Sequence, residues 1–261
     1  MRLDLLLVRR GLCSGRERAK EEIRAGHVLV EGKTETRPSR EVAEDVPLRL
    51  EGETLPYVSR GGLKLEKALE VFDVSPLGKI CLDCGASTGG FTDCLLQKGA
   101  ARVYALDVGS GQLAEKLRAD PRVVSMEKFN VRGLKPGDLP ETPELAVADV
   151  SFISLRLILP AVSGVLAPEG EILCLIKPQF EAGRARVGKK GVVRDGEVHR
   201  RVLEELFLFF QTLGLYPAGL SWSPVRGPEG NIEYLCHLRR HPASEAPEPR
   251  RVVEEARNAL K

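Results

Sequence analysis

The sequence predicts a doubly wound α/β domain preceded by a small α+β module, and three observations carry that expectation. From residue 63 to 240, seven apolar runs alternate with helical stretches, the pattern of strands joined by crossover helices. The first 50 residues instead hold two short helical patterns and a hairpin signal. Between them, "EGETLPYVSRGG" carries Pro56, Gly61 and Gly62, residues that punctuate regular structure. The resulting division is 1–54 for the small module, 55–62 for a linker, 63–240 for the large domain, and 241–261 for a polar linker with a short terminal helix.

In the small module, Leu3, Leu6, Leu7 and Arg10 recur at helical spacing until "GLCSG" stops the run. Ser14 is placed to cap the next helix, "GRERAKEEIRA", which closes at Gly26. On it Arg16, Lys20 and Arg24 stand at i, i+4 and i+8 and form one basic stripe. "HVLVEGKTE" alternates about a Glu31-Gly32-Lys33 turn, as a hairpin does, and "EDVPLRLEG" adds a strand. In the large domain the strands are "KICLDC", "RVYALDV", "RVVSM", "LAVADV", "EILCLIKP", "PAGLSWS" and "IEYLCHL". Helical runs such as "TGGFTDCLLQKG" and "EVHRRVLEELFLFFQTLG" lie between them. After "PASEAPEP", Val252, Val253, Ala256 and Leu260 share one helical face, the pattern of a short docking helix.

A net charge of +2 over 261 residues selects no class of partner, so any nucleic-acid signal is local. The first 40 residues supply one, with ten Lys/Arg against six Asp/Glu. "EAGRARVGKKGVVRDGEVHRR" supplies another, with seven against three and four glycines. Charges at Arg2, Asp4, Arg9 and Arg10 interrupt the N-terminus where a signal peptide needs an apolar core, and no run reaches the length of a membrane span. A cytoplasmic protein without transmembrane insertion is expected. The six cysteines are scattered through apolar runs and read as reduced core thiols. Cys81 and Cys84 form a CxxC with neither a second pair nor a nearby His, which disfavours a zinc or redox centre.

The loop "LDCGASTGG" follows the first strand of the large domain. A dinucleotide fold would place GxGxxG there, whereas here the strand ends in Asp83 and Ser87 replaces the second glycine. A carboxylate at that point repels pyrophosphate but suits a ligand carrying a sulfonium and an amino group, which favours S-adenosylmethionine. Asp107 closes the second strand and can accept both ribose hydroxyls. The cofactor-binding candidates are Asp83, Gly85, Ser87, Gly89, Gly90, Phe91, Asp107, Asn130 and Asp149.

Reactive groups of open α/β sheets collect beyond the carboxyl ends of the strands. Asp149 ends "LAVAD", and Lys177 ends "EILCLIK" before Pro178. Glu233, in "NIEYLCHL", reaches the same edge if the last strand runs antiparallel to the others. Lys64 lies off the apolar face of Leu65, Ala68, Leu69 and Phe72, so periodicity alone reads it as a surface lysine.

Two resemblances add to this reading. Residues 1–50, with the R-G-L-x-x-S-R-type turn interrupted by Gly15 and the G-H-V-x-V-x-G-K hairpin, resemble an S4 RNA-binding domain. That implies docking on structured RNA through phosphates and shape, with Arg2, Arg10, Arg16, Lys20, Arg24 and Lys33 as contacts. Lys64, Asp149, Lys177 and Glu233, in this order, resemble the catalytic signature of FtsJ-like ribose 2′-O-methyltransferases. "SRGGLKLEKAL", "LDCGASTGGFTDCLL", "ALDVGSGQL", "ADVSFISL", "IKPQFE" and "GNIEYL" together resemble the TlyA family, historically grouped with haemolysins, over nearly the whole chain.

The family resemblance implies a Rossmann-like methyltransferase fold. It also implies methyl transfer from S-adenosylmethionine to a cytidine 2′-hydroxyl in 23S ribosomal RNA and, in one subtype, also in 16S. Ribosomal subunits are then the partners and no metal is needed. Lys177 serves as base if burial and the charge of Lys64 lower its pKa, while Asp149 and Glu233 orient the lysines and the hydroxyl. The basic segment reads as an RNA clamp through Arg184, Arg186, Lys189 and Lys190, and Phe152 and Phe180 stand ready to stack on an extruded base. Some members carry Arg-x-Trp in the linker; here Tyr57 of "LPYV" stands at the indole position, as a hydrophobic latch. Rival readings are a small-molecule or DNA methyltransferase, a non-catalytic ribosomal RNA-binding assembly factor, and a membrane-active haemolysin-like protein. The modified nucleotide, the choice of subunit and the oligomeric state stay open.

Overall fold

The chain divides into two units, Met1–Arg60 and Gly61–Lys261. The structure is a computed structural model and describes residues 1–13, 15–51, 55–188, 191–227 and 229–260. The Ser14 cap and the clamp residues Lys189 and Lys190 lie outside the described residues.

The first unit comprises α1 (Leu3–Arg9), α2 (Arg16–Arg24), β1 (Val28–Val30), β2 (Lys33–Thr34) and β3 (Leu48–Leu50). Its antiparallel sheet runs β2-β1-β3. Leu3, Leu6 and Leu7 of α1, Ala19 and Ile23 of α2, and Val28 and Val30 of β1 form its core. The β1–β2 hairpin turns through Glu31 and Gly32 at φ 53° and 76°. Two consecutive positive φ values match the turn to the twist of the flanking strands, and glycine meets the second without strain.

The second unit begins with α3 (Gly61–Val71) and holds seven strands: β4 (Ile80–Cys84), β5 (Arg102–Leu106), β6 (Val123–Met126), β7 (Leu145–Ala148), β8 (Glu171–Ile176), β9 (Tyr216–Trp222) and β10 (Tyr234–Arg239). Each corresponds to one of the seven apolar runs. The remaining helices are α4 (Gly90–Gln97), α5 (Glu115–Arg118), α6 (Leu155–Val165), α7 (Pro178–Glu181), α8 (Gly196–Thr212) and α9 (Pro249–Ala259). In space the sheet runs β6-β5-β4-β7-β8-β10-β9. Strands β4 to β8 pair in parallel, whereas β10 is antiparallel to both β8 and β9.

All four residues of β7 are buried, as expected for a strand covered on both faces. Val252, Val253 and Ala256 of α9 are buried where the helix packs on α8 and β9, as a docking helix does. The chain winds from β4 through β5 to β6 and then crosses back to β7, so the strand order reverses between β4 and β7. A crevice at such a reversal is where open α/β sheets bind ligands. Among the described residues no helix is long and apolar enough to cross a membrane, and all six cysteines are buried free thiols.

Candidate active site

The loop after β4 meets the loop after β7 at this reversal. Gly85 has φ 86°, and a Cβ there would lie 3.1 Å from the Asp149 carbonyl oxygen, so glycine lets the two loops touch. Asp107, just beyond β5, accepts from the Ser87 N–H at 2.8 Å and from the Gly109 N–H at 2.7 Å. Its carboxylate thereby fixes the walls of a small pocket lined by Ala86, Ser87, Asp107, Gly109, Gln112 and Leu113.

Asp83 is fully buried. One of its oxygens accepts from the Thr92 hydroxyl at 2.7 Å and the other has no partner. Burial, only partly offset by the Thr92 hydrogen bond, pushes its pKa up to about 7. An orphaned carboxylate oxygen at the end of β4 and a second carboxylate, Asp107, at the end of the neighbouring β5 fit a cofactor with a cationic amino end and a ribose hydroxyl pair, as S-adenosylmethionine has. Gly89 (φ 96°) and Gly90 lead from the loop into α4. Two other candidates stand elsewhere. The Phe91 ring is buried with Leu65 and Ala68 beneath α3, and exposed Asn130 uses its side-chain oxygen to cap the 131–133 turn, accepting from Arg132 N–H at 3.1 Å.

Beside the loop, four charged side chains converge. Lys64 Nζ lies 2.7 Å from Glu233 Oε2 and 3.4 Å from Asp149 Oδ2, and Lys177 Nζ lies 2.5 Å from Asp149 Oδ1. The fold brings them from four elements. Asp149 and Lys177 follow the parallel strands β7 and β8 directly. Glu233 precedes β10, whose antiparallel register pairs Tyr234 with Ile176 and so sets Glu233 level with Lys177. Lys64 sits in the first turn of α3, where side chains lean toward the helix N-terminus, and its ammonium reaches past the helix end into the site. Its side chain is 11% exposed, which corrects the surface position that periodicity suggested.

Burial alone would strip Lys64 of its proton, but the Asp149 and Glu233 carboxylates outweigh burial and raise its pKa. Burial would likewise raise Asp149, and the Lys64 and Lys177 ammonium groups outweigh it and hold the carboxylate below its ordinary range. Asp149 therefore stands between the two lysines as a shared counter-ion. Among the described residues no group of three or more His, Cys, Asp or Glu side chains is placed to hold a metal ion.

Neighbouring residues that sequence reasoning passed over complete the site. Ser151 Oγ is 3.0 Å from Lys177 Nζ, and Gln179 Nε2 is 3.5 Å from Glu233 Oε1 while its buried oxygen has no partner. Glu181 accepts from the Ser154 hydroxyl at 2.6 Å and from the Leu155 N–H at 2.8 Å, which anchors the loop that follows Asp149 to the start of α6. On that loop Phe152 is 91% exposed at φ 63°, its ring 5.1 Å from that of Phe180. None of these four polar residues breaks a sequence pattern; for Ser151 and Gln179, a polar residue three positions past the end of β7 or β8 was the one available signal.

The RNA candidates divide by their partners. Arg2 and Arg16 each place Nε 3.0 Å from the buried Asp4 carboxylate. Arg10 donates to the Val46 carbonyl at 2.6 Å and to that of Glu44. These three are tied into the scaffold of their own unit, with Arg2 and Arg16 still 40% and 48% exposed. Lys20 is half-buried, while Arg24, Lys33, Arg184 and Arg186 are exposed, Arg186 lying 3.8 Å from Glu205. Tyr57 is buried, and its carbonyl accepts from Arg18 at 2.9 Å.

Residues 57–240 match the FtsJ-like methyltransferase family and residues 1–46 match the S4 domain. The chain is similar to YqxC of Bacillus subtilis, 52% identical over 267 aligned positions that cover 100% of this chain and 95% of that protein. It is also similar to TlyA of Mycobacterium tuberculosis, a protein named 16S/23S rRNA (cytidine-2′-O)-methyltransferase, at 46% identity over 239 positions, 91% of this chain and 89% of that one. A solved structure from Streptococcus thermophilus, titled a hemolysin, superposes with a TM-score of 0.82 at 45% identity, covering 100% of this chain and 96% of the other. The chain thus belongs to the FtsJ-like methyltransferases, in the TlyA group that carries an N-terminal S4 domain, and its methyl donor is S-adenosylmethionine.

Proposed function

We propose that this protein methylates the ribose 2′-hydroxyl of a cytidine in ribosomal RNA, that of 23S first among them, acting inside the cell on ribosomal subunits. The observation that carries the reading is the Lys64–Asp149–Lys177–Glu233 network, assembled at one strand edge beside the glycine loop. The substrate class named for the Mycobacterium tuberculosis relative supports the choice of nucleotide.

S-adenosylmethionine supplies a methyl group already activated by its sulfonium, so the chain's own task is to orient the hydroxyl and take its proton. Asp83 and Asp107 would hold the two polar ends of the cofactor, and Gly85, Ser87, Gly89 and Gly90 shape the backbone between them. Lys64 stays charged and, with Glu233 and Asp149, fixes the geometry of the site. Lys177 Nζ, 2.5 Å from Asp149 and 3.0 Å from Ser151, would align the 2′-oxygen and, as the neutral amine once its own proton has passed to solvent, take the hydroxyl proton while the methyl group leaves the sulfonium, as a neutral thioether, for oxygen. Phe152 offers an exposed ring for the unstacked base. Its left-handed backbone costs on the order of 1–3 kcal/mol in a non-glycine residue, a strain that cluster at binding sites tend to retain. Arg24, Lys33, Arg184 and Arg186 meet RNA phosphates.

The test uses purified protein, labelled S-adenosylmethionine and separate unmodified subunits, with nuclease mapping of 2′-O-methyl groups. Label on a cytidine ribose that disappears with Lys177→Ala is the expected result. Cofactor binding without label on either subunit would sink the reading.

A further inference from the structure

A cleft of about 620 Å³ opens between residues 192–194, residues 226, 229, 230 and 232, and α9, and the reaction described above makes no use of it. Arg194, Arg226 and Arg257 line it together with Asn258, and Glu229 is the one acid among its described lining residues. None of the three arginines forms an ion pair among the described residues. Arg226 donates to the Gly230 carbonyl at 3.2 Å and Arg257 to the Arg194 carbonyl at 2.7 Å, which fixes both guanidinium groups while most of their five N–H donors stay open. His199 forms part of the wall and adds no charge. Its Nδ1 meets the Tyr234 hydroxyl at 2.7 Å, its Nε2 meets the Val193 carbonyl at 2.8 Å, and burial lowers its pKa.

We propose that this cleft is a phosphodiester-binding subsite for the RNA strand that flanks the target nucleotide, an inference that rests on the RNA methyltransferase reading. Three guanidinium groups against the single carboxylate of Glu229 leave the cavity with an excess of positive charge, and their planar forks match phosphate oxygens. Continuity with the catalytic site identifies the anion as the substrate's own backbone. Asn231, 2% exposed, donates to the Gly191 carbonyl at 2.9 Å and accepts from the Val193 N–H at 3.1 Å, so it fastens one rim of the cleft to the other. Two residues further along the chain is Glu233. On the same rim, a Cβ at Gly227 would lie 2.7 Å from Glu233 Oε1, so this rim also forms a wall of the catalytic site. A strand leaving that site therefore has a basic channel beside it.

The test replaces Arg194 and Arg226, both exposed, singly and together (R194Q, R226Q). Arg257 is spared because it also fastens the Arg194 backbone. Binding to unmodified ribosomal subunits and to a short single-stranded oligoribonucleotide is measured across a salt series, with S-adenosylmethionine affinity and thermal unfolding as controls of fold. The double variant is expected to bind about tenfold more weakly and to lose roughly 1.4 from the slope of log affinity against log salt, about 0.7 for each single-strand phosphate contact. Cofactor affinity and melting stay unchanged. An unchanged slope in the folded double variant overturns the proposal. So does inorganic phosphate binding as tightly as the oligonucleotide, because the cleft is then a small-anion site. A wild-type protein that binds and labels no ribosomal RNA removes the methyltransferase reading and this inference with it, whereas a wild type that methylates beside a variant with an unaltered slope removes this inference alone.

Discussion

Both units bury carboxylates among cations, and they do so differently. In the first, Asp4 is held by Arg2 and Arg16, and Glu35 by Arg37 and Arg40. Hydrogen bonds from Arg2 and Arg37, stronger than the opposing effect of burial, bring both acids down to a pKa of about 2. The second unit sets two carboxylates against two lysines, each lysine about a tenth exposed. Arginine cannot surrender its proton in a protein, so an arginine clamp is scaffold that can present its spare N–H groups to RNA phosphates. Lysine can give up and regain one, so a lysine pair around a shared carboxylate can do proton chemistry. On the proposed reading, residue type thus separates docking from catalysis although both clusters look like ion pairs.

Exchanging the residue types tests that contrast most sharply. K177R puts a permanent cation where a base is needed, because a guanidinium does not become neutral in a protein, so single-turnover methyl transfer should fall by on the order of 10²–10⁴, as far as in K177A. Cofactor affinity should stay within a few-fold. Transfer at the wild-type rate in K177R would break the contrast.

The next effect is on stability. K64A leaves the buried Glu233 carboxylate without its cation and Asp149 with Lys177 alone, and denaturant unfolding should show a loss of about 3–5 kcal/mol. D4A should cost less, because the partly exposed Arg2 and Arg16 can rehydrate. Equal losses would mean that the two clusters are energetically alike.

Acid provides a third test. Asp4 and Glu35 have folded pKa values near 2, below the ordinary 3.8 and 4.5, so their contribution is full above the ordinary values and drains away as pH falls toward 2. Unfolding of the wild type followed from pH 5 to 2 should show this loss, and D4N should flatten it. Asp83 has the opposite sign. Its folded pKa is raised, so ionising it costs stability as pH climbs from about 3.8 to about 7.

The smallest effect follows from that same residue. Only the ionised Asp83 attracts a cationic amino group, so calorimetric affinity for S-adenosylmethionine should rise on the order of tenfold between pH 6 and 8, and D83N should abolish the rise. A flat wild-type profile would place the amino group elsewhere.

Much of this was legible in the sequence because apolar periodicity reports burial directly. The seven strands, the glycine loop and the docking face of α9 follow from pattern alone. Glu233 required one further step, the direction of the last strand, and the antiparallel register supplied it. Lys64 was not legible from periodicity, because a helix's apolar face describes where Cβ atoms point and says nothing of a long side chain leaning past the first turn. The tethering of Arg2, Arg10 and Arg16 was hidden for a related reason. Composition counts charges without their partners, and the partners here are a buried aspartate and two carbonyls from the segment before β3. Phe91 and Asn130 show the limit of motif transfer, since one side chain went to the core and the other to a turn.

The antiparallel course of β10 also has a consequence for biosynthesis. Lys64 and Glu233 are 169 positions apart, and their contact closes the catalytic network. Such a contact carries a large loop-closure entropy and forms late in folding. During translation β4 to β8 can be laid down from one direction as they emerge, but the acid that completes the quartet arrives on the last strand of the sheet to be made. A nascent chain stalled before residue 233 would carry the sequence of its cofactor loop, two lysines and a single counter-ion, and would lack the acid that the proposed mechanism needs. On that mechanism, competence would begin only once synthesis of the domain is essentially complete.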